Sequence, residues 1–241
     1  MPTNFYSEDN CKIIFDLPFC SSVAWAVPAN PTNSTTFPNL TLLYDENAKS
    51  YMQNFSNALA LTACETSATG QYSLAVNCST CADVYKDWLC SVAIPRCADY
   101  SSTDPWLQAR NILSKFTDGR SAPAIIDQEM RDNAMSTYAN QSRMPWIDTT
   151  ISPGPYKEIL PCEGLCHALV RNCPATLQFV CPLPEKGLWR SYGRESDQRL
   201  LTCNRPGLAY NLNDATGIST AWRFWQMSGL VLAVVVLGLR F

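Results

Sequence analysis

The chain has 241 residues, which is enough for one large domain or two small ones, and 46% of them are hydrophobic, which is enough for a substantial core. Only 16% are charged, the net charge is −3 and no basic run occurs, so nucleic acid and acidic membrane surfaces are poor candidate partners. Twelve cysteines indicate six disulfides formed in an oxidising compartment.

Zinc binding is the alternative explanation of the cysteines. Structural zinc sites usually combine two Cys-x-x-Cys pairs, or one such pair with two downstream histidines. This chain has one pair, Cys78 and Cys81, and a single histidine, His167. Disulfides are therefore favoured, and we expect neither a metal nor another cofactor.

The first ten residues lack the basic start and apolar segment of a secretory signal peptide. Disulfides and N-linked sugars are both added in the secretory pathway. We therefore expect a further N-terminal part upstream of Met1. Sequons of the form Asn-x-Ser/Thr agree with entry into that pathway, and the predicted sugar acceptors are Asn33, Asn39, Asn54, Asn77 and Asn140.

The N-terminal third is predicted to begin with loops and short extended pieces over residues 11–44. Apolar residues then recur at helical spacing over 46–64, with Asp45 as the expected N-cap. A second helix is predicted over Asp83–Cys90. The apolar faces of both helices are expected to form core.

A cysteine-free insert follows, from Ala98 to Pro161. Asp104 and Pro105 have the form of an N-cap and a first-turn proline, and they predict a helix that buries Trp106, Ile112, Leu113 and Phe116. A further helix is predicted over Asp127–Tyr138, and loop over residues 144–146 and 152–156. Long inserts of this kind often carry surface specialisation.

Three cysteines of the next segment share one helical stripe. Cys162, Cys166 and Cys173 fall at i, i+4 and i+11, within about 40° of each other at 100° per residue. Pro161 suits the start of this helix and Pro174 its end. The pattern predicts a helix held to the rest of the chain by disulfides.

The C-terminal region changes composition twice. A polar spacer at 211–226 precedes an apolar tail at 227–241. The apolar run of the tail is about 20 Å long as a helix, against a bilayer core of about 30 Å. This favours a signal for glycosylphosphatidylinositol attachment at Asn213 or Ala215, while a short spanning helix and a buried C-terminal segment stay open.

Catalysis is not expected. Cys166 and His167 are helical neighbours whose side chains point about 100° apart, so they do not form a nucleophile and base. The chain has no Gly-x-Ser-x-Gly, no His-Glu-x-x-His and no calcium loop of the Asp-x-Asp-x-Asp-Gly type. We interpret the protein as a non-enzyme.

The cysteine frame resembles the frizzled-type cysteine-rich domain over residues 11–203. The resemblance is carried by Leu17-Pro-Phe-Cys20, Trp88-Leu-Cys90 and Leu165-Cys166 with Cys173 seven residues on. It implies a mainly α, disulfide-rich fold over residues 1–210, interrupted by the insert at 98–161. It also implies the pairs Cys11–Cys97, Cys20–Cys90, Cys64–Cys173, Cys162–Cys203 and Cys166–Cys181, leaving Cys78 to close on Cys81.

A fungal family gives a closer match. The stretches Pro153–Cys162, Leu165–Ala175 and Phe179–Pro182 resemble the C-terminal region of the mating-induced death protein family, the regulatory component of a stretch-activated calcium channel. The resemblance implies an extracellular ancillary subunit, attached to the plasma membrane by its tail, that assists calcium influx. The implied partner is a large four-repeat pore-forming calcium-channel subunit.

An alternative function remains open at this stage, namely a lipid-anchored surface domain that binds a lipid or a glycan in a frizzled-type groove. For the channel function, the candidate docking residues are in the insert. Arg143, Trp146 and Tyr156 combine residue types that are favoured at interface centres with a proline-rich loop.

Overall fold

The computed structural model describes residues 10–62, 64, 76–122, 136–196 and 200–207. The predicted sites at Asn213 and Ala215, the spacer, the tail and most of the predicted helix at Asp127–Tyr138 lie outside these residues. The elements are β1 (Cys11–Ile14), β2 (Trp25–Pro28), α1 (Leu40–Ala60), α2 (Cys78–Ala93), β3 (Arg96–Ala98), β4 (Leu107–Arg110), α3 (Thr137–Asn140), a π-helical turn (Ile147–Ile151), β5 (Tyr156–Ile159), α4 (Glu163–Asn172), 3-10 turns (Ala175–Leu177 and Pro184–Lys186) and α5 (Leu188–Ser191).

Two small antiparallel sheets accompany the helices. In the first, β1 pairs with β2, and Cys11 lies opposite Pro28. In the second, β5 is the central strand between β3 and β4. Glu158 of β5 lies opposite both Cys97 and Gln108. The insert is thus joined to the rest of the chain by strand pairing. These backbone hydrogen bonds hold the insert in place, although it contains no disulfide.

The main core is formed by one face of α1 against the first sheet, α2 and the π-helical turn. Buried residues of α1 recur mostly four residues apart, as an amphipathic helix requires; they are Leu40, Tyr44, Ala48, Phe55 and Leu59. The predicted helix is confirmed, and Phe55 and Leu59 are buried as its apolar spacing requires, whereas Tyr51 is exposed. The helix starts before Asp45, which is therefore not its N-cap. Asp45 is buried instead and accepts hydrogen bonds from the backbone N–H groups of Phe19 and Cys20 at 2.9 and 2.8 Å.

All twelve cysteines are paired. Four disulfides join the cysteines that the frizzled-type resemblance implied: Cys11–Cys97, Cys20–Cys90, Cys162–Cys203 and Cys166–Cys181. The other two differ, because Cys64 pairs with Cys78 and Cys81 pairs with Cys173.

The implied closure of Cys78 on Cys81 is wrong for a geometric reason. Both cysteines lie in α2. Helical residues three apart have Cβ atoms about 5–6 Å apart, whereas a disulfide needs about 3.5–4.5 Å. Cys81 is fully buried and joins α2 to Cys173 at the end of α4. Cys78, at the first turn of α2, is left to join the segment that follows α1.

The fold contains more β structure than the sequence predicted. The helix expected to open at Asp104-Pro105 is wrong, since Leu107–Arg110 forms β4 beside β5. The loop predicted over 152–156 holds for 152–155, whereas β5 begins at Tyr156. The π-helical turn at Ile147–Ile151 lies between the two predicted loops. The prediction of a disulfide-rich fold with helices is confirmed. The prediction that this fold is mainly α did not anticipate the five strands among the described residues.

Candidate partner-binding surface

Arg143, one of the predicted docking residues, lies in a buried cluster of charges. Glu158 points inward from the centre of β5 with its side chain fully buried. Its Oε2 accepts from Arg110 Nε, and its Oε1 accepts from Arg143 Nε, both at 2.6 Å. Arg143 Nη2 also donates to the carbonyl of Ser191 at 2.9 Å. The two guanidinium groups thus join β4, β5, the segment before the π-helical turn and the end of α5.

The charge of Glu158 is stabilised despite its burial. Desolvation alone would raise the pKa of this carboxyl group, but Arg110 and Arg143 beside it outweigh that effect, so the pKa lies below its ordinary value of 4.5. The carboxylate is therefore ionised at neutral pH. A buried carboxylate paired with two arginines and hydrogen-bonded on both oxygens meets the conditions for a tolerated internal charge.

Tyr156, the second candidate, is also internal. It lies two residues before Glu158 in β5, so both side chains project from the same face of the sheet. Its side chain is fully buried, and its hydroxyl is 2.9 Å from Ser142 Oγ. Burial and the nearby Glu158 carboxylate raise the pKa of Tyr156 above its ordinary value. The structure does not support a docking role for Tyr156, because its side chain is held in the core on the buried face of β5.

Trp146 packs inward as well. Its ring meets Tyr44 of α1 edge to face, with the centroids 5.1 Å apart. The indole packs against the main core, and its Nε1 is buried with no hydrogen-bond partner among the described residues. Arg143 and Trp146 are each only partly exposed. These candidates therefore hold the insert against α1 and the C-terminal elements, and an outward docking role for them is not supported.

An apolar surface that the sequence did not single out lies around the Cys166–Cys181 disulfide. Val180 is 83% exposed, Leu183 is 59% exposed, and these residues flank Cys181. Val170 lies one helical turn after Cys166 and is 42% exposed. Trp189 follows buried Leu188, which packs with Cys166, and is itself 41% exposed. We call Val170, Val180, Leu183 and Trp189 the α4–α5 surface.

Two further features bear on the α4–α5 surface as a candidate interface. The guanidinium group of Arg194 stacks over the Trp189 ring at 3.8 Å, and tryptophan and arginine are enriched at interface centres. All five predicted sugar acceptors, in contrast, occur before residue 142, ahead of α4. The sequence signal that would have indicated this surface is the apolar stretch Val180–Leu183, which flanks Cys181 and contains no sequon.

The sugar acceptors differ in their side-chain contacts. Asn33 Nδ2 donates to Thr150 O, and Asn39 Nδ2 donates to Thr35 O, both at 3.4 Å. Asn77 is the N-cap of α2, where its Oδ1 accepts from Thr80 N at 2.9 Å. Asn54 is exposed in the middle of α1, and Asn140 ends α3 in a partly exposed position. Sugar occupancy itself remains a prediction at all five.

The remaining chemical candidates offer no reactive group. Cys166 is bonded to Cys181, so its sulfur is not a free nucleophile beside His167, which is exposed on α4. Cys162 and Cys203 lie near Glu195 in an arrangement with metal-ligand spacing, but their sulfurs are joined to each other. A disulfide does not supply the thiolate that zinc requires. Within the described ranges, no helix is long and apolar enough to cross a membrane.

Twelve paired cysteines are typical of a disulfide-rich domain that folds in an oxidising compartment. The particular family follows from comparison with known proteins. A family model described as "Stretch-activated Ca2+-permeable channel component" matches residues 2–209. The chain therefore belongs to the family of stretch-activated calcium-permeable channel components, as the resemblance in its cysteine-rich stretches indicated.

The relatives give the same assignment. The chain is 39% identical over 221 residues to the stretch-activated cation channel yam8 of Schizosaccharomyces pombe, covering 90% of this chain and 39% of the relative. It is 37% identical over 207 residues to the stretch-activated cation channel MID1 of Saccharomyces cerevisiae, covering 83% and 32%. The protein of the same name from Cryptococcus neoformans is 24% identical over 200 residues, covering 78% and 30%.

The chain thus spans about a third to two fifths of the length of the curated relatives it matches. No solved structure matches it. The frizzled-like architecture accordingly remains an implication of the resemblance, and the structure reproduces four of the disulfides that the resemblance implied.

Proposed function

We propose that this chain is the extracellular cysteine-rich region of an ancillary subunit of a plasma-membrane calcium channel, where it supports stretch-activated calcium influx. The observation that carries the proposal is the match to a channel-component family over residues 2–209, a range that contains all six disulfides. The disulfides support the extracellular side, because such bonds persist there and are rare in the cytosol. No catalytic role is assigned.

The proposed partner is a large, four-repeat pore-forming subunit, and the proposed docking site is the α4–α5 surface. Apolar side chains exposed together on a stable domain commonly mark interaction sites. Here they are fixed by the Cys166–Cys181 disulfide and by the packing of Leu188 on Cys166, so little ordering entropy is lost on binding. None of the residues that define this surface is a predicted sugar acceptor.

Co-purification with the pore-forming subunit tests the docking site. Val180→Asp combined with Leu183→Asp, placed in the full-length protein, introduces two charges at the centre of the α4–α5 surface. Recovery of the pore-forming subunit should fall about tenfold or more, since the loss of one interface hot spot amounts to about 2 kcal/mol. Stretch-evoked calcium uptake should fall with it.

The matched control is Leu42→Asp, because Leu42 is 51% exposed in the first turn of α1, where Leu40 and Tyr44 pack in the main core and not against α4 or α5. The control should secrete and associate normally. Association unaffected by the double variant would move the interface elsewhere. Equal loss in the double variant and the control would indicate an unspecific effect of added charge.

The tail at 227–241 is proposed to be a signal that is removed when a glycosylphosphatidylinositol lipid is attached at Asn213 or Ala215, and this lipid is the proposed membrane attachment. The support is the order of small residues, polar spacer and apolar run. Phosphatidylinositol-specific phospholipase C should release the full-length protein from membranes. Recovery of peptides from Trp222 onward in the membrane-bound protein would favour a spanning helix instead.

A further inference from the structure

A polar cleft of about 500 Å³ opens in the insert, between the segment after β4 and the π-helical turn. This volume is within the range of pockets that hold small molecules. Its wall includes Asn111, Lys115, Asn140, Gln141, Asp148 and Thr149. No docking residue of the α4–α5 surface lines it, so it is separate from the proposed channel interface.

The wall is polar without being a cation site. The Asp148 carboxylate already accepts from Asn111 Nδ2 at 2.7 Å and from the backbone N–H of Ser142 at 2.8 Å. Lys115 lies in the same wall. A pocket with one carboxylate, one ammonium group and several amides and hydroxyls is suited to a neutral ligand that has many hydroxyl groups.

Part of this wall has unused hydrogen-bonding groups. Within the described part of the chain, the side chains of Ser114, Lys115 and Gln141 make no hydrogen bond. Pro145 and Pro153 add small apolar surfaces to the same cleft. Donors and acceptors alternating with apolar surfaces match a saccharide ring, which presents hydroxyl groups at its edge and C–H groups on its faces.

Asn140 connects this chemistry to a covalent source of saccharide. It lies in the cleft wall and is the acceptor of the sequon Asn140-Gln141-Ser142. Among the described residues its side-chain amide has no hydrogen-bond partner, unlike the amides of Asn33 and Asn39, which donate to backbone carbonyls. A sugar attached to Asn140 would therefore begin at the wall of the cleft.

We propose that the cleft binds an N-acetylglucosamine-type saccharide, supplied by the first sugars of an N-linked glycan on Asn140. A sugar bound in this way is called seated below. This inference depends on passage through the secretory pathway, as the proposed function does, but not on any role in a channel. The seated sugar would fill the space between Lys115 and Thr149 and hold the π-helical turn against the segment after β4.

Site-resolved deglycosylation of the native full-length protein tests the proposal. Endoglycosidase H cleaves between the first two N-acetylglucosamine units, which are the ones the cleft would cover. The glycan on Asn140 should be released at least about tenfold more slowly than the glycan on Asn54, because a seated conformation must open before cleavage. After denaturation both sites should be cleaved at the same rate.

Two variants at Ser114 show whether the cleft causes the protection. Ser114 is exposed in the wall, and its side chain makes no hydrogen bond within the described residues, so either variant should fold. Ser114→Tyr fills the cleft and should raise the native release rate at Asn140 to that at Asn54. Ser114→Ala leaves the space open and should retain the protection.

Equal native rates at Asn140 and Asn54 in the unaltered protein would overturn the proposal, as would protection that survives Ser114→Tyr. An Asn140 that mass spectrometry finds without sugar would overturn it too. A saccharide bound there would then have to come from another molecule, which soaking the Asn140→Gln variant with chitobiose would detect.

Discussion

Arg143 and Glu158 are 15 residues apart in the chain, yet the guanidinium Nε is 2.6 Å from the buried Glu158 Oε1. The pair joins the loop before the π-helical turn to the central strand of the three-stranded sheet. Because Arg143 also donates to Ser191 O, the same side chain connects the insert to the C-terminal part of the chain. The insert is therefore held by an internal electrostatic contact where the rest of the domain is held by disulfides.

Glu158→Gln should lower the free energy of unfolding by about 3–5 kcal/mol at neutral pH, since it leaves two arginines without their buried counter-charge. Urea denaturation measures the loss. The matched control is Glu185→Gln, whose side chain is exposed in a 3-10 turn and should change stability by less than about 0.5 kcal/mol. A Glu158→Gln protein as stable as the control would contradict the buried cluster.

The same carboxylate predicts a pH dependence. Its pKa is lower in the folded protein than its ordinary value of 4.5. Its contribution to stability is therefore fully present above the ordinary pKa and is lost as pH falls through the lower, folded pKa. Between about pH 5 and pH 3 the unaltered protein should lose more stability than Glu158→Gln. Parallel pH profiles of the two proteins would show that Glu158 is not the group that titrates.

The revised disulfide pairing has a direct chemical test. In a Cys78→Ser variant the unpaired thiol should be on Cys64, and in a Cys173→Ser variant it should be on Cys81. Alkylation followed by peptide sequencing locates each thiol. Labelling of Cys81 in the first variant and Cys64 in the second would instead restore the pairing implied by the frizzled-type resemblance.

The two disulfides should also differ in their effect on stability. Cys64–Cys78 closes a separation of 14 residues, whereas Cys81–Cys173 closes one of 92. In the chain-entropy account, loops of these sizes correspond to about 3 and about 4.7 kcal/mol. Replacing both cysteines of a pair with serine should therefore reduce secretion more for Cys81 and Cys173. The opposite order would mean that native-state strain or residual structure outweighs loop entropy.

Asp45→Ala should lower the free energy of unfolding by about 1–3 kcal/mol, because it leaves the buried N–H groups of Phe19 and Cys20 without an acceptor. Glu46→Ala is the matched control, since Glu46 is the next residue of α1 and is exposed. Thermal unfolding of both variants measures the difference. A neutral Asp45→Ala would mean that water or a neighbouring group replaces the carboxylate.

These residues show which signals in the sequence were sufficient. The helix predicted around Cys166 is observed as α4, because its period and its flanking prolines are local signals. Asp104 and Pro105 also form a local helix signal, but the strand pairing of Leu107–Arg110 with β5, about 50 residues away, overrides it. Strand partners so distant have no local signature, so β4 and β5 were not predictable from propensity.

The candidate site was missed for a related reason. Aromatic residues such as Trp146 and Tyr156 are common both at interfaces and in cores, so their residue type does not distinguish the two. Tyr156 is internal because β5 lies between β3 and β4. The α4–α5 surface depends in the same way on which residues a disulfide leaves exposed. Val180 and Leu183 are as apolar as core residues, and their exposure follows from the tertiary position of Cys181.

The internal position of Tyr156 predicts a graded response to substitution. Tyr156→Phe removes the contact with Ser142 Oγ and should cost about 0.5–1.5 kcal/mol. Tyr156→Ala with Trp146→Ala should prevent secretion of folded protein, since each large-to-small change in a core costs about 3–5 kcal/mol. Tyr51→Phe, on the exposed side of α1, is the control for the first variant. A well-secreted double alanine variant with weakened channel association would restore these residues as docking candidates.

The turn before β5 gives a final prediction, because it depends on one glycine for two separate reasons. Gly154 has φ of +75°, and a Cβ built on it would lie 2.6 Å from the carbonyl oxygen of Lys115. Gly119 has a similar φ of +86°, but a Cβ there would meet no described atom within 4 Å. The two positions therefore share the conformational cost of a side chain and differ in its steric cost.

Gly119→Ala should lower the free energy of unfolding by about 1–2 kcal/mol, which is the ordinary cost of a left-handed conformation with a Cβ. Gly154→Ala should cost clearly more, because the backbone at Lys115 must move away and the start of β5, which positions Tyr156 and Glu158, must move with it. Urea denaturation of the two variants side by side isolates the steric part. If Gly154→Ala lowers the free energy of unfolding no more than Gly119→Ala does, the backbone at Lys115 moves without disturbing β5. The close approach between Gly154 and Lys115 would then not be needed to position Glu158 and Tyr156.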